Sequence, residues 1–253
     1  MAAGEGAMTA PLDLLGVPVH PVTLADAVDA VVRAVEDWSG GEPFRHVAVN
    51  ANKLLACRAD EQLARAVAEA DLATADGVGA LLMARRLGLR LPERVTGIDL
   101  FLALLGPAAA RGWPIYLLGA APGVADAAAA ALQARHPDLV IAGARDGYFP
   151  PGSEDAVAQA AADSGARLLF VALPTPRKEL FVQRHAHGVA FAMGVGGAFD
   201  VLCGRIPRAP RAVQQVGMEW AWRWAREPRR LAGRYGLGGV AFLRALVLGR
   251  EAA

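Results

Sequence analysis

The sequence predicts an α/β fold: a mostly parallel sheet with helices on both faces, continued by a basic, helical C-terminal appendage. Three observations predict it. Short apolar runs alternate with longer segments of helical periodicity. Those runs are apolar throughout, as in strands buried on both faces, rather than alternating polar and apolar. After residue 204 the composition turns to arginine, proline and tryptophan. A length of 253 residues allows one large α/β domain or two small ones. The expected division is a disordered terminus over residues 1–10, a sheet domain over 11–204 and the appendage over 205–253.

Taken in order, Leu12 to Val22 contains Pro18 and Pro21 and reads as a short extended pair. Thr23 caps a helix to about Trp38, in which Ala27, Val28, Val31, Val32 and Val35 recur at helical spacing. His46 to Ala51 is a strand that delivers Asn50 at its end. One helix is expected from Asn52 to Glu69, then a strand from Ala70 to Ala75 and a helix from Ala80 to Leu89. The polar loop Glu93–Leu100 enters a helix to Ala110. Strands follow at Pro114–Gly119, Leu139–Gly143, Arg167–Leu173 and Val189–Val195, with helices at 124–135, 153–163 and after Glu179.

The chain is organised around Thr74-Ala75-Asp76-Gly77-Val78-Gly79. An acid at the carboxyl end of a strand, before two glycines that open a helix, collects three features. There is a carboxylate, backbone that a ligand can approach closely, and a helix amino end that favours anions. The plainer reading makes Asp76 a helix cap, a role for which Asp is a preferred residue. Ligands of parallel sheets bind at the strands' carboxyl ends. Asn50, Asp76, the Arg145–Tyr148 loop, Pro174–Lys178 and Gly194–Gly197 all fall there.

Composition excludes several classes. The net charge of +1 provides no global field for nucleic acid. Arginine is concentrated between Arg205 and Arg234, where eight arginines face only Glu219 and Glu227. Cys57 and Cys203 lack metal-ligand spacing, and the expected compartment is a reducing cytoplasm. No signal peptide and no uninterrupted apolar run of about 18 residues is present. Trp220, Trp222 and Trp224 beside arginine suit a helix lying on an anionic membrane surface. The same helix packed against the domain is the competing expectation.

The P-loop, the G-x-S-x-G elbow, H-E-x-x-H and D-x-D are all missing. Gly119-Ala120-Ala121-Pro122-Gly123 lacks the G-x-G-x-x-G of a dinucleotide loop. What remains is one well-placed acid, a nearby Asn, the arginine of Arg94-Val95-Thr96-Gly97-Ile98-Asp99, and further cations. This set suits a metal-independent transfer, with Asp as general base and Arg or Lys stabilising a leaving diphosphate.

An ordered series of motifs then carries a resemblance. Val49-Asn50-Ala51-Asn52-Lys53, Ala75-Asp76-Gly77-Val78-Gly79, Arg94 to Leu100, Asp146-Gly147-Tyr148-Phe149, Pro176-Arg177-Lys178-Glu179, Met193 to Asp200, Arg208-Ala209-Pro210 and Glu219-Trp220 together resemble the WecG/TagA/CpsF glycosyltransferases, over residues 12 to 235. The resemblance implies a Rossmann-like domain and an inverting transfer of sugar from a UDP-sugar, without a metal or other cofactor. The implied acceptor is a polyprenyl-diphosphate-linked saccharide at the cytoplasmic face of the membrane, for cell-surface polysaccharide or teichoic acid.

By the same resemblance Asp76 is the general base. Asn50, Gly77, Arg94, Asp99, Lys178, Gly196 and Gly197 bind substrate, and Arg223 and Arg230 close over the donor diphosphate from the tail. Plainer readings are a turn-former for Asn50, an ion pair with Glu93 or Asp99 for Arg94, and a solvated basic face for the tail. The family's usual Thr before the pocket Asn is here Ala48, and the Gln of its P-K-Q-E motif is Lys178. Lys178 could meet an acidic sugar or a phosphate. N-acetylmannosamine, its uronic acid and glucose are the donors the resemblance admits, and self-association is left open. Two rivals are a non-catalytic nucleotide-sugar or lipid-phosphate binding protein of the same fold and an NAD-dependent oxidoreductase.

Overall fold

A computed structural model describes residues 9–210, 213, 219–226, 244 and 246, apart from the side chains of Trp220, Arg223 and Trp224. Most of the expected disordered terminus lies outside the described residues, as do Arg230 and much of the appendage.

The first two strands, β1 (Leu12–Leu14) and β2 (Val17–Val19), form an antiparallel hairpin. The remaining six are β3 (Phe44–Val49), β4 (Leu72–Ala75), β5 (Ile115–Gly119), β6 (Ile141–Arg145), β7 (Leu168–Ala172) and β8 (Phe191–Gly194). They make one sheet in the order β4-β3-β8-β7-β5-β6, and every pairing is parallel.

The helices are α1 (Leu24–Asp37), α2 (Ala51–Ala59), α3 (Glu61–Ala68), α4 (Val78–Arg86), α5 (Gly97–Arg111), α6 (Val124–Arg135), α7 (Glu154–Asp163), α8 (Arg177–Arg184), α9 (Ala198–Leu202) and α10 (Glu219–Arg226). The side chains of β7 show why its sequence is apolar throughout. Leu168 and Phe170 enter a core built with α1, α5, α6 and α9, while Leu169 and Val171 enter another under α7 and α8. A third core, under α2, α3 and α4, takes Val47, Val49, Ala73 and Ala75. The structure is therefore the Rossmann-like α/β sheet with helices on both faces.

The helix α9 is not among the sequence expectations, α4 starts two residues before the expected Ala80, and two further elements depart from expectation. The single helix over residues 52–69 is two helices, α2 and α3, joined at Asp60. Asp60 has extended backbone angles, and its carboxylate accepts from the amides of Gln62 and Leu63, so it ends one helix and caps the next. The strand expected at 139–143 sits two residues later. It is an edge strand and only partly buried, with Ile141 and Ala144 against one core and Ala142 against another.

Candidate active site

The parallel register brings the two leading site residues together. Val49 of β3 pairs with Ala75 of β4, so Asn50 and Asp76 emerge side by side at the carboxyl edge. The amide of Asp76 donates to Val49 O at 2.8 Å and extends the ladder by one step. Asp76 is half-buried, and the cap position of α4 is Gly77, which has no side chain with which to cap it. The cap position, the plainer reading of Asp76, thus belongs to Gly77. Gly77 has φ 90°, in the region L side chains rarely adopt. It turns the chain sharply from strand to helix immediately beside the carboxylate.

Asn50 caps α2, its Oδ1 accepting from the Lys53 amide at 3.0 Å. The turn-forming role is real, and it leaves the side-chain NH2 without a partner among the described residues. Gly194 ends β8, and Gly196 (φ 54°) and Gly197 follow at the same edge; a methyl group on either of the last two would meet open space.

The sequence reading missed a buried charge cluster beneath this edge. Lys53 Nζ donates to Ala48 O at 2.7 Å and lies 2.6 Å from Glu179 Oε1. Lys178 Nζ lies 2.8 Å from the same oxygen, and Thr175 donates to it at 3.1 Å. Lys178 also donates to Thr175. Burial alone would raise the Glu179 pKa, but the two ammonium groups outweigh it and hold the carboxylate at about 2. Lys178, expected to face substrate, thus directs its ammonium to Glu179 and Thr175. The cluster lines a crevice of about 10 Å³ together with His46, Val47, Ala48, Val182 and Gly194. Its signal lay in the lysine three residues after Asn50 and the glutamate after Lys178. Sequence alone does not say that two cations would share one carboxylate.

His46 lies within β3, wholly buried, its Nε2 2.8 Å from Thr74 Oγ1. Because the Thr74 hydroxyl donates to Val95 O at 3.0 Å, the hydrogen between them belongs to His46 Nε2. Burial, then the charges of Lys53 and His20, push this histidine down to about 3, so the ring is neutral. Val95 N in turn donates to Ala75 O, which brings the Arg94 segment to the end of β4.

Arg94, in the loop, and Asp99, in the first turn of α5, both engage the segment after residue 204. Arg94 Nη1 lies 3.5 Å from Glu219 Oε2, instead of pairing with Glu93 or Asp99. Asp99 accepts from Thr96 Oγ1 at 2.7 Å, and Arg208 pairs with its other oxygen. Arg223 stands on α10, but its side chain and all of Arg230 lie outside the described residues, so their expected roles have no geometry here.

At the far side of the edge, the loop after β6 presents Tyr148, which is 77% exposed. Arg177 holds this loop by donating to Gly147 O at 3.1 Å and stacking its guanidinium 4.3 Å from the Phe149 ring centre. At Gly147 a side chain would collide with Leu173 at 2.6 Å, which the close approach of the loop to the sheet forbids. Among the described residues no three His, Cys, Asp or Glu converge as metal ligands, and no helix is long and apolar enough to cross a membrane.

A carboxylate, an amide and glycine-lined backbone converge at the carboxyl edge of a parallel sheet, with cations beside them. That arrangement is the one by which a Rossmann-like protein holds a ligand at the carboxyl ends of its strands. The chain matches the model of the Glycosyl transferase WecG/TagA/CpsF family over residues 12–252, nearly its full length, and belongs to that family. It is a glycosyltransferase, an enzyme that moves sugar from a nucleotide-sugar donor to an acceptor in cell-surface polysaccharide synthesis.

Proposed function

We propose that the enzyme transfers an N-acetylmannosamine-type sugar, its uronic acid or glucose from UDP to a polyprenyl-diphosphate-linked saccharide, with inversion and without a metal. The product would serve cell-surface polysaccharide or teichoic acid. The adjacency of Asp76 and Asn50 at the ends of two paired strands carries this reading. Asp76 removes the proton from an acceptor hydroxyl. That oxygen attacks the anomeric carbon as the bond to the diphosphate oxygen breaks on the opposite face, which inverts the centre. Asn50 offers its amide NH2 to the sugar, Gly77, Gly196 and Gly197 admit the ligand close to backbone, and Arg94 receives the charge that develops on UDP. Tyr148 supplies an exposed ring at the same edge on which the uracil can stack.

In this reading the enzyme works at the inner face of the cell membrane. The tryptophan- and arginine-rich tail rests on anionic lipid and brings Arg223 and Arg230 to the diphosphate. Deletion of residues 205–253 should then abolish sedimentation with anionic liposomes.

The decisive experiment measures UDP release from a panel of UDP-sugars with a synthetic polyprenyl-diphosphate GlcNAc acceptor. Acceptor-dependent release by the wild type, lost by at least about a hundredfold in Asp76→Asn, supports the reading. Undiminished release by the variant would remove Asp76 from the chemistry.

A further inference from the structure

The segment between Asp76 and Val95 leaves the sheet edge and returns to it. It departs through Gly77 into α4, turns at Leu87-Gly88, and comes back through Leu89, Arg90, Leu91 and Pro92 to Arg94. The bond from Val95 N to Ala75 O closes the excursion at the strand that delivers Asp76. Between helix and returning loop lies a groove of about 370 Å³, lined by Leu81, Arg85, Leu89, Arg90, Leu91 and Pro92.

The lining has two chemistries. Leu81, Leu89 and Leu91 are partly buried and continuous with the apolar core under α4, and Leu82 beside them is 39% exposed. Arg85 and Arg90 are exposed. Neither pairs with a carboxylate among the described residues. Leu81 and Arg85 are four residues apart and share a helix face. An apolar trough along which two guanidinium groups have no carboxylate partner among the described residues complements an amphiphilic anion.

We propose that this groove seats the lipid end of the acceptor: an apolar chain attached to a phosphate or diphosphate. The inference rests on the transferase reading above and adds a place for the acceptor. Helix α4 begins beside the carboxylate and rises about 1.5 Å per residue, so Arg85 stands about 10 Å along the axis from Val78. A saccharide whose hydroxyl lies at Asp76 therefore places its phosphate near Arg85, and the chain beyond runs over Leu81, Leu89 and Leu91. Charge complementarity selects this occupant over the alternatives. Leu246, whose carbonyl accepts from Arg86 Nε at 3.1 Å, borders the same core and offers no anion to Arg85 or Arg90. A second copy of the chain would have to bring a carboxylate and apolar side chains in the same spacing.

The test is calorimetry on the full chain with farnesyl diphosphate, inorganic diphosphate, farnesol and, separately, UDP. The expected result is binding of farnesyl diphosphate that weakens about tenfold or more in Arg85→Ala/Arg90→Ala, as for loss of charge-assisted hydrogen bonds. Leu89→Ser should weaken it too, whereas the UDP affinity is expected to hold in both variants. Thermal melts confirm that the variants fold. Three results overturn the proposal: no binding of farnesyl diphosphate by the wild type, equal binding by the arginine variant, or inorganic diphosphate binding as tightly as farnesyl diphosphate. A changed sedimentation coefficient in the arginine variant with unchanged farnesyl diphosphate binding would assign the groove to contacts between copies and overturn it as well. Absence of UDP binding with farnesyl diphosphate binding intact would instead count against the donor reading.

Discussion

The ammonium of Lys53 lies 2.6 Å from the carboxylate of Glu179, with both side chains almost fully buried. This pair joins the first turn of α2 to the first turn of α8, and the backbone of Ala48 and the side chain of Lys178 complete it. It fixes two of the strand ends that frame the site. Glu179→Gln would leave two ammonium groups facing a neutral amide in a dry setting. The expected cost is about 3–5 kcal/mol of unfolding free energy, with a similar cost for Lys53→Met. Because the two residues share one interaction, the double variant should lose less than the sum, which denaturant titration of all four proteins will show.

Arg94 reaches across to Glu219 of α10 at 3.5 Å, with both side chains about one-fifth exposed. At this exposure a double-mutant cycle of Arg94→Ala and Glu219→Ala should return a coupling of about 0.5–1 kcal/mol in unfolding free energy. Additive single effects would show that the contact contributes nothing. Since Arg94 is also assigned to the diphosphate, Arg94→Ala should weaken UDP binding about tenfold, measured by calorimetry.

Acid should destabilise the protein well before its carboxylates are protonated. Buried His46 titrates at about 3 in the folded protein against an ordinary 6.5, and burial lowers His20 as well. Between those values the unfolded chain binds protons that the folded chain refuses, so stability falls as the pH drops from about 6.5 towards 3. Glu179 adds a loss of the same sign as the pH falls from 4.5 through about 2. Each histidine contributes at most about 1.4 kcal/mol per pH unit. Denaturant midpoints at pH 7 and pH 5 should therefore differ, and His46→Gln should flatten the difference.

The transfer is expected to survive EDTA. The sequence lacks D-x-D, and among the described residues no three metal-ligating side chains converge. Loss of UDP release on chelation, restored by Mn²⁺, would overturn the metal-free mechanism.

The order of strands and helices was legible because burial on both faces of a sheet leaves an apolar signature, clearest in Leu168–Ala172. The start of β6 is blurred in the sequence because apolar Leu139 and Val140 run into it without a break. The break between α2 and α3 was missed because Asp60 interrupts an otherwise helical pattern through backbone geometry rather than through Gly or Pro. The adjacency of Asp76 and Asn50 was legible because strand ends in a parallel sheet converge by topology. The partners of Arg94 and Asp99 were not, because Glu219 and Arg208 lie more than a hundred residues away along the chain.

The sequence by itself determined the layered α/β architecture, the meeting of Asn50 and Asp76 at the carboxyl edge, and membership in a glycosyltransferase family, since local periodicity and ordered motifs are written residue by residue. Only the tertiary structure decided how the charges are shared. It gave Glu179 two lysines, made Gly77 rather than Asp76 the cap of α4, tied Arg94 to Glu219 and opened a leucine–arginine groove beside the site. Those outcomes depend on strand register and on which side chains meet in a low-dielectric interior, and neither is encoded in any short stretch of chain.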